Sequence, residues 1–137
     1  MRSEVSPADW SKLRKLAVEE AGHRCEICGT GGRLECHEVW EYDGDARVQR
    51  LSGFVALCDW CHHVKHLVHA AGLASEGKLD YERVVEHFMR VNGCDRRTFE
   101  EHRERALEAY RWRSAEEWRV GPGEYVRLVS GLPPRPR

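Results

Sequence analysis

The chain has 137 residues, 41% hydrophobic and 33% charged, the size and balance of one soluble globular domain. No apolar run approaches a membrane span, and the opening segment MRSEVSPADW lacks the apolar stretch of a secretory leader, so a cytoplasmic protein without a membrane partner is expected. The net charge of −1 argues against tight charge-driven binding to nucleic acid by the chain as a whole, while allowing a local basic face.

In chain order, Ser6-Pro7 reads as a helix start, and Trp10, Leu13, Leu16 and Ala17 recur at helical spacing up to a stop at Gly22. A first helix over 6–21 is expected, within an N-terminal segment 1–24. Cys25-Glu26-Ile27-Cys28-Gly29 follows, then a turn at Thr30-Gly31-Gly32. Leu34 to Trp40 reads as a strand, 41–50 as a polar loop and Phe54 to Leu57 as a second strand. Cys58-Asp59-Trp60-Cys61 then leads into one helix, HHVKHLVHAAGL, which closes a core over 25–73.

Beyond it lies a helical extension over 74–130. Residues 80–91 carry Val84, Val85, Phe88 and Val91 on one face and stop at Asn92-Gly93. Asp95 to about Ala115 makes a longer helix, with Phe99, Ala106, Leu107 and Tyr110 facing inward. Trp118, Val120, Tyr125, Val126 and Leu128 suggest a small strand pair around Gly121-Pro122-Gly123, and 131–137 reads as a disordered tail. The fold class expected is α+β.

The cysteines carry the chemistry. Four of six lie in two C-x-x-C pairs, Cys25 with Cys28 and Cys58 with Cys61. Each pair offers two sulfurs from one short turn, and four thiolates are the donor set of a structural zinc. Redox pairs or reduced core cysteines are the plainer alternative. Cys36 and Cys94 are left over, and Cys94 is expected only to pack.

The run CEIC…LECHEVW…GFVALCDWCHHVKH, residues 25–66 and roughly a third of the chain, resembles the zinc-knuckle branch of the HNH endonucleases. The resemblance implies a treble-clef, ββα-metal core and metal-dependent hydrolysis of DNA phosphodiester bonds. It implies His37 as general base, an imidazole whose ordinary pKa lies near neutrality. It places His62 and His66 on one catalytic divalent cation (zinc, magnesium, manganese or nickel), with Lys65 or His63 against phosphate. Cys36 stands where the family usually has a metal-binding Asp or His, so it is a further candidate ligand, or a filler of the strand's inner face. The family's Asn falls near Gly53, with Ser52, Gln49, Asp43 or Asp45 as conceivable substitutes.

The same residues also fit a catalytically degenerate zinc module that binds nucleic acid or a protein partner. Trp40 and Tyr42 are expected to pack rather than stack on bases, and His69, His87 and His102 to lie on the surface. The arginines of 96–119, interleaved with glutamates, read as an ion-paired face. Arg111, Arg113 and Arg119 beside Trp112 and Trp118 are a further candidate contact for nucleic acid.

Overall fold

The computed structural model describes residues 7–121, which form five helices and a small three-stranded sheet in a mixed α+β arrangement. Helix α1 (Pro7–Glu20) begins on proline, whose missing N–H would have no helical partner there. Its buried residues, Trp10, Leu13 and Ala17, lie one turn apart and form a single stripe. The stripe packs on Cys36 and Leu51, with Trp10 edge-on to Phe54 at 6.5 Å between ring centroids.

Strands β1 (Glu35–Asp43) and β2 (Val48–Leu57) form an antiparallel hairpin, from Glu35 opposite Leu57 to Asp43 opposite Val48. The register slips between Val39 and Trp40, where Ser52 is the extra residue and its hydroxyl donates to the Val39 carbonyl at 3.0 Å. The expected loop over 41–50 is therefore only a four-residue turn, 44–47. Asp43 Oδ1 accepts from the backbone N–H groups of Asp45 and Ala46, at 3.0 and 3.1 Å, and closes that turn. The polar residues line only the open face of the hairpin: Val48 and Leu51 carry the buried face of β2, while Glu41, Asp43 and Ser52 look outward.

β3 (Arg119–Val120) runs parallel to the start of β2. Gly121 follows it, and a Cβ at that position would stand 2.4 Å from Val48 Cγ1, so the close approach requires glycine. The expected partners of this strand at Tyr125, Val126 and Leu128 lie outside the described residues, as does the expected tail.

The single helix expected after Cys61 is two. α2 (Asp59–Lys65) and α3 (Leu67–Ser75) meet at His66, whose backbone leaves the helical region at φ −123°, ψ 57°. α4 (Tyr81–Asn92) is capped by the Asp80 carboxylate and ends on Gly93 in the left-handed region. α5 (Arg96–Ser114) is capped by Asp95, which accepts from the Thr98 N–H at 3.0 Å. Phe99 is fully buried against Phe88, Val84, Val85 and Leu67, whereas Tyr110, expected to face inward, is exposed. Between this helical cluster and the α1 cluster lies a third, built from Leu34, Ala56, Leu57 and the cysteines.

Candidate metal centre

Two groups of ligating side chains converge, and α2 belongs to both. The first contains Cys25, Cys28, Cys58 and Cys61, whose sulfurs all lie within 4.8 Å of one another. The Cys25 turn is closed by its own N–H to the Thr30 carbonyl at 2.8 Å and by Gly29 N–H to the Cys25 carbonyl at 2.9 Å. The second pair sits at the start of α2: Cys58 Sγ caps the helix by accepting from Cys61 N–H at 3.4 Å. Cys28 Sγ and Cys58 Sγ are 3.6 Å apart. Four sulfurs about 2.3 Å from a central zinc would be separated by about 3.8 Å, so the cradle fits such an ion.

Burial raises the thiol of Cys25, but backbone N–H groups of Cys28, Cys58 and Ile27 outweigh it and bring the pKa down to about 6. Burial pushes Cys58 and Cys61 upward. A single cavity that opposes several thiolates at once, yet provides donors for them, suits a divalent cation that neutralises them together. The four cysteines could hold a structural metal such as zinc.

The second group is His37, His62 and His66, whose ring nitrogens also lie within 4.8 Å of one another. His37 comes from β1, and the two others from successive turns of α2 and its end. His66 Nε2 is 3.1 Å from His37 Nδ1, and the three ring centroids are 4.7 to 5.4 Å apart. Three imidazole nitrogens about 2.0–2.1 Å from one ion would be separated by about 3.3 Å, so this cradle also fits a metal. Burial, then the neighbouring imidazoles, lowers both His37 and His66 to about 4, and burial lowers His62 as well. All three rings are thus neutral near pH 7, the form in which an imidazole can ligate a metal.

Cys36 does not join this group. Successive residues of a strand point to opposite faces, so His37 on one face puts Cys36 on the other, against Trp10, Leu13, Ala17 and Leu51. Burial, reinforced by the charge of Glu38, pushes its thiol up to about 12. Its place is the inner face of the strand. Of the stand-ins for the missing Asn, Asp43 closes the hairpin turn and Ser52 fills the bulge. His63 turns away from the trio to lie edge-on to Trp60, with ring centroids 5.9 Å apart.

A groove of about 610 Å³ opens beside His66, between α3 and α5. Leu67, Leu73 and Leu107 supply apolar lining, and Lys65, His69 and Arg113 supply cationic or basic groups. Arg113 also lies over the Tyr42 ring, 5.6 Å from its centroid, in a cluster with Trp112 and Trp118. Further up α5 the arginines are ion-paired, Arg96 with Glu82 and Arg97 with Glu101.

His87 was expected on the surface and is buried, only 6% exposed. Its Nε2 is 3.1 Å from Cys61 Sγ and its Nδ1 is 3.1 Å from Arg90 Nη2. Burial pulls its pKa down. The signal was present in the spacing: position 87 is one turn beyond Val84 and one turn before Val91, inside the apolar stripe. Compared with family models, curated proteins and solved structures, the chain matches none.

Proposed function

We propose that this chain is a metal-dependent endonuclease of the HNH type, with a zinc knuckle of treble-clef form as its scaffold and DNA as its substrate. The observation that carries the proposal is the convergence of His37, His62 and His66 directly beside the Cys25–Cys61 cluster. The order of knuckle turn, hairpin, knuckle turn and helix supports it, because that order gathers both groups around one short helix.

His37, His62 and His66 would hold the second cation. When bound, such an ion supplies Lewis acidity toward a phosphate oxygen and acidifies water. His37 packs against His66 at 3.1 Å between ring nitrogens, so we assign it to the cation rather than to proton abstraction from a free water. Three ligands leave part of a tetrahedral shell open, the pattern of catalytic rather than structural sites. Lys65 and Arg113 border the groove next to His66, where positive charge would draw and orient the phosphodiester backbone.

Plasmid nicking at low salt tests the proposal, with magnesium, manganese, nickel or zinc added to the zinc-loaded chain. Cleavage by the parent that falls to background in His62→Ala supports it. Absence of cleavage with every metal favours the zinc module that binds without cutting.

A further inference from the structure

Among the described residues, His87 is the buried polar side chain within the core. It belongs to α4, in the extension, yet it touches a cysteine of the knuckle. The hydrogen-bond chemistry of its two nitrogens is decided by its neighbours. Arg90 carries a guanidinium, which has donors and no acceptor, so Arg90 Nη2 donates to His87 Nδ1. A neutral imidazole that accepts at Nδ1 bears its proton on Nε2. Nε2 stands 3.1 Å from Cys61 Sγ, so it donates that proton to the sulfur.

Four thiolates around one divalent ion leave two negative charges in excess, inside a cluster where Cys61 is 2% exposed. Charge of that kind, shielded from water, requires donors from the protein. Cys61 N–H already serves Cys58. His87 does the same for Cys61, from outside the knuckle sequence. α4 is held there independently, by Val84, Val85 and Phe88 in the helical cluster and by Arg83 lying 4.5 Å over the Trp60 ring. The imidazole is therefore delivered to the sulfur by packed, capped structure rather than by a mobile loop.

We propose that His87 is an outer hydrogen-bond partner of the knuckle zinc, donating Nε2–H to the Cys61 thiolate, and that Arg90 sets the tautomer that lets it do so. His87 strengthens retention of the metal and ties the extension to the knuckle. The proposal rests on zinc occupying the four cysteines, and not on nuclease activity.

The test uses the full chain loaded with zinc and titrated with a competing chelator. His87→Leu keeps the volume and loses the donor, and a loss of about 10–100-fold in zinc affinity is expected. His87→Gln keeps an N–H and should recover part of that loss. In parallel, long-range proton–nitrogen NMR of the parent with cadmium in place of zinc should show Nε2–H protonation and coupling of that proton to the metal through the sulfur. Equal zinc affinity in the parent and His87→Leu overturns the proposal, as does a parent imidazole protonated on Nδ1. Should His87→Leu fail to fold, the NMR result on the parent decides alone. A parent that takes up no zinc refutes the knuckle assignment itself, whereas zinc bound equally well without the imidazole refutes only the role of His87.

Discussion

The two ligating groups share α2 and differ in almost everything else. Cys61 and His62 are neighbours in the chain, yet one is sealed in the core among cysteines and the other stands half-buried beside His37 and His66. The cysteine group is complete with four donors, capped by backbone N–H groups and backed by an imidazole. The histidine group has three donors and a groove beside it. A saturated, buried site has no position for a reactant, while a three-ligand site at the surface has one. The same short helix thus lies between a four-donor site suited to a structural metal and a three-donor site with room for a reactant.

The largest effect expected is loss of the first site. Three of the cysteines are almost fully buried, and the Leu34–Leu57 cluster forms around them. Structural zinc contributes on the order of 10–16 kcal/mol in small domains, as much as the whole stability of a typical domain. Chelation of zinc, or Cys61→Ser, should abolish the cooperative thermal transition seen by circular dichroism. His62→Ala should leave that transition nearly in place. If the cysteine variant melts like the parent, the contrast between the sites is mistaken.

Next in size is the metal count. With a second divalent ion in excess, mass spectrometry under native conditions should find two metals per parent chain. The double variant His62→Ala, His66→Ala should bind one. An unchanged count of two would remove these histidines from the ligand set.

Much of this contrast was legible in the sequence. The two C-x-x-C pairs and the i, i+4 spacing of His62 and His66 are local features, and local spacing survives into structure. The helices of the extension were readable from their caps and apolar stripes, Asp80 to Gly93 and Asp95 onward. What failed were features decided by distant contacts. The polar run 41–50 is strand because Val48 and Leu51 bury one face of it. The break at His66 divides α2 from the apolar α3 in a run that no local signal interrupts. His87 lay inside the apolar stripe, but its meaning depends on a cysteine 26 residues earlier. Cys36 was ambiguous by position and unambiguous once strand alternation was set by His37.

Cys36 provides a smaller test of the same division. It fills space between α1 and the hairpin, so Cys36→Ala should lower stability by about 1 kcal/mol. Because it is on the far face from His37, the second metal should bind as before. Denaturant unfolding and metal titration on one variant check both halves, and weakened metal binding with unchanged stability would return Cys36 to the site.

The smallest effect is a titration. Burial and mutual repulsion put His37 and His66 near 4 in the metal-free trio, whereas an unfolded imidazole titrates near about 6.5. Above pH 6.5 both states are neutral and the trio adds no pH dependence. As pH falls from 6.5 toward 4 the unfolded chain takes up protons that the folded trio refuses, so stability declines through that window and then levels off. The rings are partly open to water, which keeps the decline shallow. The same refusal means that protons should not displace a bound cation from the trio until well below pH 6. Ring carbon–proton NMR of the chain, with zinc in the knuckle alone, should show His37 and His66 still neutral at pH 5.5. Titration of either near 6.5 would mean that the rings are not gathered as described, and that the open site is a helix surface rather than a metal centre.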